Sequence, residues 1–330
     1  SALGAEWGAQ RVKGLSLSGV IKDMLSSKLN RKDGRKVETS LIEEFIYPKF
    51  GPGQLWECVA EEIKEKGGTV RMESRVSKVH VEGNRVVAVT VESPDGRRDR
   101  VGCDVFLSSM PLKDLVASID GIDVPEEVGR AAASLPYRDF ITVGLLVDKL
   151  KLRNETAIPS YKDRIPDTWI YVQERDVRLG RVQVFNNWSP YMVADYEGKM
   201  WIGLEYFCAE GDEMWEMPDK DFIRMAVSEL EKIGIIDRED VEDAVRIRVR
   251  KAYPAYYGSY SELPAIRAFL DRIENLYCIG RNGQHRYNNM DHSMLTAMEA
   301  VDAILSGCPA VDKSPVWNVN TEDDYHETRN

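Results

Sequence analysis

The sequence predicts a mixed α/β (α+β) protein in which two separate parts of the chain build two different sheets. Valines alternate with polar residues over 79–91, a pattern typical of paired strands with one buried face. Apolar residues recur at helical spacing over 219–234. A short apolar run at 276–279 leads through a glycine into a second helical pattern, which indicates a strand-to-helix connection.

The composition disfavours several classes of partner. A chain of 330 residues with 43% hydrophobic residues can bury the cores of two domains. A formal net charge of −11 argues against nucleic acid and anionic membrane surfaces, because both attract basic proteins. No apolar run approaches the roughly 18 residues of a transmembrane helix. No signal-peptide pattern is present either, so a cytoplasmic location is expected.

The cysteines and histidines do not form a recognisable reactive constellation. The five cysteines are odd in number and widely spaced, which predicts core thiols rather than a disulfide framework or a zinc site. The four histidines occur without a metalloprotease or serine-hydrolase motif. No metal site and no catalytic residue is therefore assigned.

The chain divides into five segments on local pattern. A helical lead-in is expected first, because apolar residues recur at helical spacing between Leu17 and Leu25. The second segment combines a helix carrying Leu55 and Ile63 with a three-strand meander and a buried strand at 105–107. Residues 51–110 and 275–307 are expected to pack together, because neither part is large enough alone to bury its apolar faces. The predicted segments are 1–50, a helical lead-in; 51–110, helix, meander and buried strand; 111–265, a mixed-sheet domain; 266–310, strand and helix; and 311–330, a polar tail.

The segment 111–265 reads as a mixed sheet with helices. Its strand candidates are rich in aromatic and β-branched residues, and they lie at 141–147, 169–172, 182–185 and 201–207. Several aromatic side chains in this segment could line a pocket or belong to the core: Trp169, Tyr171, Trp188, Tyr191, Tyr253, Tyr256 and Tyr257.

The strongest functional signal lies in the strand-to-helix connection near the end of the chain. An extended polar loop is predicted from Arg281 to Asn289, followed by a helix capped by Asp291 and ended by Gly307. A helix N-terminus offers unpaired N–H groups and about half a positive charge, which suits a ligand that carries negative charge. An ordinary strand-to-helix turn without a ligand is the alternative interpretation.

The residue types over 280–291 favour a ligand-binding connection over an ordinary turn. Gly280 to Asp291 read Gly-Arg-Asn-Gly-Gln-His-Arg-Tyr-Asn-Asn-Met-Asp. This stretch resembles the C-terminal flavin motif of UDP-galactopyranose mutase, and more broadly that of the monoamine oxidase and protoporphyrinogen oxidase superfamily of FAD-dependent oxidoreductases. The resemblance implies a cofactor-binding set in which glycines approach the ribityl and diphosphate groups, the helix start meets the flavin ring, and one backbone position contacts adenine: Gly280, Arg281, Gly283, Met290, Asp291, Ser293 and Val76.

The resemblance also implies a substrate side to this motif. In the mutases, residues matching Arg281 and Tyr287 reach the diphosphate of the substrate, and His285 is a further candidate for a substrate hydrogen bond. Two residues depart from the mutase pattern: His285 stands where mutases usually have Tyr, and Asn289 where they usually have Asp.

One expected part of such a protein does not occur in the sequence. Members of the superfamily carry a Rossmann strand–turn–helix with Gly-x-Gly-x-x-Gly, where the pyrophosphate meets a helix N-terminus. No such fingerprint is found in these 330 residues. The chain is therefore expected to be the C-terminal portion of a longer flavoprotein, or a reduced relative, with part of a Rossmann-like FAD-binding domain and only half of an FAD site. Its expected partners are the missing N-terminal Rossmann segment and a small-molecule substrate.

Three functions stay open at the level of sequence. The first is an FAD-dependent oxidoreductase that transfers hydride from a small organic substrate to flavin. The second is a nucleotide-sugar mutase that uses reduced FAD without net oxidation. The third is a non-catalytic fragment without cofactor.

Overall fold

The computed structural model describes residues 46–307 and 312–321. The apolar stripe predicted between Leu17 and Leu25 lies outside these residues. The α-helices are α1 Pro52–Glu65, α2 Leu112–Ser118, α3 Glu126–Ala133, α4 Glu213–Glu216, α5 Asp219–Lys232, α6 Leu263–Asp271, α7 Gly280–Gly283, α8 Met290–Leu305 and α9 Ser314–Asn318. The strands are β1 Arg75–Glu82, β2 Arg85–Glu92, β3 Arg98–Gly102, β4 Phe106–Ser108, β5 Ile119–Asp120, β6 Tyr137–Val147, β7 Trp169–Tyr171, β8 Arg181–Val184, β9 Met200–Cys208, β10 Val241–Pro254 and β11 Leu276–Cys278.

Contacts divide the described residues into two compact units. The first unit combines Met72–Tyr137 with the described residues from Tyr253 onward, and the second combines the described residues up to Arg71 with Arg138–Ala252. The first unit thus joins the meander to the strand-to-helix connection, although more than 150 residues separate them in sequence. Helix α1, which the sequence segments grouped with the meander, is grouped with the second unit.

The first unit contains the predicted meander. Its sheet has the strand order β3-β2-β1-β5, and Glu82 pairs with Arg85 across the turn at Gly83 and Asn84. A second sheet of this unit pairs β4 with β11 in parallel, and Leu276 lies opposite Phe106. This pairing confirms the prediction that the run 276–279 packs against the buried strand of the meander segment.

The buried amide of Asn275 ties the two sheets of the first unit together. Its side-chain oxygen accepts a hydrogen bond from the Val86 N–H at 2.7 Å, and its nitrogen donates to the Val86 carbonyl at 2.8 Å and the Asp104 carbonyl at 2.7 Å. Because each buried backbone group needs a partner, this residue fixes β11 at the end of the hairpin.

The second unit is a five-stranded sheet in the order β10-β6-β9-β8-β7. The four predicted strands correspond to β6, β7, β8 and β9, and the predicted helix at 219–234 corresponds to α5. One face of the sheet packs on α5 through fully buried residues such as Val143, Leu204 and Phe222. Alternate inward positions of β6 and β9 build this core, as the period of two requires.

Two sequence expectations need correction. The predicted polar tail contains α9, where Val316 and Trp317 are buried, because these two apolar residues anchor an otherwise polar stretch. Helix α1 forms as predicted, but it has no buried residue, so Leu55 and Ile63 share a face that is about two-fifths exposed. Helical spacing shows which residues share a face but not whether that face is covered.

Among the described residues, no helix has both the length and the apolar character needed to cross a membrane. The same residues contain no group of three or more side chains suited to hold a metal ion. The four cysteines in this part of the chain are free thiols, of which Cys208 and Cys278 are buried and Cys58 is exposed.

Candidate cofactor site

The predicted glycine turn lies against the end of strand β4. A Cβ atom at Gly283 would lie 2.5 Å from the Ser108 carbonyl oxygen and 3.2 Å from the Ser109 Cα. Only glycine allows this approach without moving one of the two backbones. Gly280 has φ +75°, a backbone conformation that other residues adopt only at an energetic cost. Backbone geometry therefore requires glycine at both positions.

The connection after Gly280 is a compact turn, and the predicted extended loop is wrong. Helix α7 forms immediately, and buried amide side chains then satisfy the surrounding carbonyl groups. Gln284 donates to the carbonyls of Cys278 at 3.2 Å and Val316 at 2.7 Å, and Asn288 donates to the Gly280 carbonyl at 3.3 Å. The chain folds on itself here because internal partners replace water for these polar groups.

Helix α8 begins two residues earlier than predicted. Asn289 is the N-cap, with extended backbone, and Asp291 is a first-turn residue. The Asn289 N–H donates to His292 Nδ1 at 3.3 Å. Both Asn and Asp are strong N-cap residues, so local preference alone could not separate the two positions. The Thr296 hydroxyl accepts from the Gly280 N–H at 2.8 Å and donates to the Ser293 carbonyl at 2.7 Å, which joins the glycine turn to the helix.

A cleft of about 420 Å³ in the first unit includes Val76 and the carboxyl end of β4, among them Ser108 and Ser109. The same two serines contact Gly283 and Gly280. Val76 and the two glycines therefore lie near the same end of strand β4. Ser108 is buried, and its hydroxyl oxygen has no hydrogen-bond partner in the described part of the chain.

Met290, Asp291 and Ser293 lie at the start of α8, and Thr296 of the same helix contacts the glycine turn. The Ser293 hydroxyl donates to the Asn289 carbonyl at 2.9 Å. Asp291 lies 3.3 Å from His292 Nδ1. The predicted cofactor residues of this segment are therefore neighbours in space, and the N–H groups of the first turn supply a positive end.

Arg281 has an aromatic environment that local sequence did not reveal. Its guanidinium lies 4.7 Å from the ring centre of Tyr287 and 5.4 Å from that of Tyr253, and its Nε donates to the Asn288 carbonyl at 2.7 Å. The rings of Tyr253 and Tyr287 stack with centroids 5.7 Å apart. Cation–π contact with two rings holds the guanidinium in place.

His285 is a packing residue in this structure. Its side chain is fully buried, its Nε2 lies 3.1 Å from the Ala255 carbonyl oxygen, and its ring meets the Tyr137 ring edge-on at 4.8 Å. Burial lowers the pKa of His285 to about 4, so the imidazole is neutral near pH 7. The geometry gives no support to the predicted substrate hydrogen bond, because the His285 side chain has no surface that a substrate could reach.

The second unit has an open apolar face that sequence patterns did not predict. Trp201 covers Gly144 and Phe185 covers Gly203, since Cβ atoms at these glycines would lie 2.7 Å and 2.8 Å from the rings. Strand β10 turns Val245, Ile247 and Val249 outward on this side while burying Arg246. Antiparallel sheets usually expose a polar face, so exposed apolar side chains such as Val245, Ile247 and Val249 are unusual on this side of the sheet.

A charged cluster lies within this open face. Arg181 donates through Nε to Glu205 at 2.6 Å, Gln183 donates to the same carboxylate, and Glu205 is 1% exposed. The Arg181 guanidinium lies 4.6 Å from the ring centre of Trp169. Trp169 and Tyr171 also line part of a cleft of about 620 Å³ at the edge strand. Of the predicted aromatics, Trp169, Tyr171 and Tyr191 are exposed, whereas Tyr256 is buried.

A parallel strand pair that leads through a close-packed glycine turn into a helix also occurs in α/β proteins that bind nucleotide cofactors. The sequence profile of the flavin containing amine oxidoreductase family matches residues 26–313. The chain therefore belongs to this family of FAD-dependent oxidoreductases. No match was found among curated protein sequences.

Solved structures give the same fold. A reduced UDP-galactopyranose mutase matches with a TM-score of 0.71 and 20% identity, over 99% of this chain and 65% of the mutase chain. A candidate protoporphyrinogen oxidase from Exiguobacterium sp. 255-15 matches with a TM-score of 0.50 and 16% identity, over 70% of this chain and 46% of that chain. The chain thus spans less than two thirds of the length of these structures.

Proposed function

We propose that this chain is the C-terminal part of an FAD-dependent oxidoreductase, and that it holds one half of the FAD site together with the substrate domain. The observation that carries the proposal is the convergence of the Gly280–Gly283 turn and the Val76 cleft at Ser108 and Ser109. The two parts of the sequence for which the resemblance implies FAD contact, Val76 and the Gly280–Gly283 turn, both lie near the end of strand β4.

The residues present fit one side of an FAD molecule. The glycine turn packs on the carboxyl end of β4, beside the cleft that Val76 lines. The N-terminus of α8 supplies N–H groups and a partial positive charge. A bound FAD would supply a hydride acceptor there, while the protein supplies position and electrostatics.

Different residues of the chain would bind different parts of FAD and the substrate. Gly280 and Gly283 allow the ribityl and diphosphate groups to approach the backbone, and the first turn of α8 stabilises negative charge at the pyrimidine edge. The Arg281 guanidinium, held by two tyrosine rings, is positioned for a phosphate or carboxylate. The open apolar face of the second unit would hold a small organic substrate with apolar or aromatic character.

A nucleotide-sugar mutase is the second candidate. The contact of Arg281 with the stacked rings of Tyr253 and Tyr287 favours it, because a guanidinium beside aromatic rings suits a nucleotide diphosphate. The departures at His285 and Asn289 oppose it. A non-catalytic, cofactor-free fragment is the third candidate, and the absence of a Gly-x-Gly-x-x-Gly fingerprint from the sequence favours it.

Fluorescence titration with FAD tests the proposal in a polypeptide that joins this chain to a nucleotide-binding segment. Arg281→Ala should weaken the measured affinity at least tenfold, because a charge-assisted hydrogen bond is worth about 1.5–3 kcal/mol. Arg98→Ala is the matched control, since Arg98 is an exposed arginine of the same unit that pairs with Glu92. Equal affinities for the three proteins would contradict the assignment of the turn.

A turnover assay separates the two enzymatic candidates. An oxidoreductase reduces oxygen or another electron acceptor in proportion to substrate consumed. A mutase interconverts nucleotide-sugar isomers without consuming an acceptor. Both assays need a polypeptide that includes the nucleotide-binding segment, because the chain provides half of the site.

A further inference from the structure

The meander sheet carries a threonine, a histidine and an aspartate on three neighbouring strands. Thr90 lies in β2, His80 in β1 and Asp120 in β5, and these strands are adjacent in the sheet. Val79 and Val89 belong to the buried core of the unit. Because side chains alternate along a strand, the three polar residues are on the face of the sheet that points away from that core.

The side chains of the three residues form a connected chain of polar contacts. His80 Nε2 lies 2.7 Å from the Thr90 hydroxyl oxygen, and His80 Nδ1 lies 3.3 Å from Asp120 Oδ2. Since a carboxylate only accepts hydrogen bonds, the neutral imidazole carries its proton on Nδ1, and Nε2 then accepts from the Thr90 hydroxyl. A hydroxyl, an imidazole and a carboxylate linked in this order activate the oxygen nucleophile of serine hydrolases.

This constellation is shielded but still within reach of a small molecule. The His80 side chain is 19% exposed and that of Asp120 is 48% exposed. Thr90 is half-buried. The imidazole is thus held between two neighbouring strands, while a small substrate can approach the hydroxyl.

Two basic residues flank Thr90 across the sheet. In the strand register its direct partners are Lys78 of β1 and Arg100 of β3. Directly opposed residues have Cβ atoms about 4.5–5.5 Å apart on the same face. Lys78 Nζ lies 3.4 Å from Asp120 Oδ2, so Arg100, which is exposed, is the cation better placed for negative charge beside Thr90.

We propose that Thr90, His80 and Asp120 form a catalytic centre that hydrolyses small acyl esters with a good leaving group. The Thr90 hydroxyl oxygen attacks the ester carbonyl carbon, its proton passes to His80 Nε2, and the oxyanion forms beside Arg100. The bond to the leaving oxygen then breaks, and that oxygen takes the proton from His80 and departs as the alcohol.

The second half of the reaction restores the threonine. Water attacks the acyl-threonine, His80 takes the proton of the water, and the carboxylic acid departs as the proton returns to the Thr90 oxygen. The reaction consumes only ester and water, so it needs no flavin. Thr90 and His80 are the catalytic residues, and Asp120 is a positioning residue that acts through His80.

Hydrolysis of 4-nitrophenyl acetate by the purified protein tests the proposal. The parent should release 4-nitrophenolate faster than buffer does, and peptide mapping after an acid quench should find acetyl on Thr90. Thr90→Val keeps the shape of the side chain without the hydroxyl and should lower kcat/KM about tenfold or more. Thr90→Ser keeps the hydroxyl and should retain activity within about threefold. Thr69→Val is the matched control, because Thr69 is an exposed threonine outside the meander, and it should not change the rate.

Two further variants separate catalysis from a structural role of the same contacts. His80→Gln removes the base and should lower kcat about 100-fold, within the range for general-base catalysis. Asp120→Asn should lower kcat while KM stays unchanged, because the residue orients the imidazole and does not bind the ester. Asp120→Glu should restore part of the loss. Urea denaturation checks that each variant is folded.

Other results would overturn the proposal. Acetyl found only on lysines, or equal kcat/KM for Thr90→Val and the parent, would make the three residues a cross-strand network without catalytic function. If Thr90→Val does not fold, the mapped acetyl in the parent and in Thr90→Ser decides: acetyl on residue 90 supports the proposal, and its absence rejects it. Added FAD should not alter the rate, so this test is independent of the proposed flavin function.

Discussion

Replacing Gly283 by alanine tests how tightly the glycine turn is seated on β4. The new Cβ would lie 2.5 Å from the Ser108 carbonyl oxygen, whereas a carbon and an oxygen in contact are normally about 3.3 Å apart. The turn must therefore move by about 0.8 Å relative to the strand, and both partners are backbone. Overpacking of this kind costs about 1–3 kcal/mol, and we expect the upper part of that range.

Urea denaturation followed by circular dichroism measures this loss. Gly129→Ala is the matched control, because Gly129 lies in helix α3 of the same unit and its Cβ would meet only a side-chain carbon at 3.9 Å. That control should keep or raise stability, since alanine favours helix over glycine by about 1 kcal/mol. A Gly283→Ala protein within about 0.5 kcal/mol of the parent would refute the close seating of the turn.

Three further variants test the first unit. His285→Asn should flatten the pH dependence of stability. The pKa of His285 is lowered to about 4 in the folded chain, so the unfolded chain binds the proton first as pH falls below about 6.5. The parent protein therefore loses up to about 3 kcal/mol of its free energy of unfolding between pH 6.5 and 4, and the variant should not. Parallel slopes in denaturation at several pH values would count against this. Asn275→Ala should lose about 3 kcal/mol in urea denaturation, because it leaves buried backbone groups of Val86 without partners; a loss similar to that of the exposed Asn84→Ala would show that water replaces the amide. Arg281→Lys keeps the charge but loses the planar contact with two tyrosine rings; affinity for FAD, or for a nucleotide-sugar substrate, equal to that of the parent would mean that charge alone acts there.

Local patterns predicted most strands and helices of this chain because periodicity and turn residues carry that information. The hairpin at Gly83 and Asn84, the strand Leu276–Cys278 and helix α5 follow the predicted positions within a few residues. The pairing of β11 with β4 was expected because neither segment alone can bury its apolar faces.

Other features depend on contacts between distant residues. Asp291 and Asn289 are equally good caps by local rules, so the helix start was predicted two residues late. The compact turn after Gly280 depends on amides of Gln284 and Asn288 that find carbonyl partners only in the folded chain. In the same way, the rings around Arg281 come from positions 28 and 6 residues away in the chain.

Exposure is the property that periodicity could not supply. The stripe from Met294 to Leu305 reads as a core-facing side, yet Thr296 and Ala300 are the buried residues of α8. In β10 the apolar side chains of Val245 and Ile247 are likewise exposed, whereas Arg246 is buried and donates to the carbonyls of Met214 and Met217. A pattern identifies a face, and the rest of the protein decides what covers it.

An absorbance scan in the flavin region is the most direct test of the half-site claim. It compares the purified chain with the same chain joined to the coding sequence upstream of Ser1. The chain alone should be colourless or nearly so, because losing two or three charge-assisted hydrogen bonds of the pyrophosphate cradle lowers FAD affinity by roughly three or more orders of magnitude. The longer polypeptide should be yellow with stoichiometric FAD. Tight FAD in the short chain, or no flavin in either protein, would contradict the account.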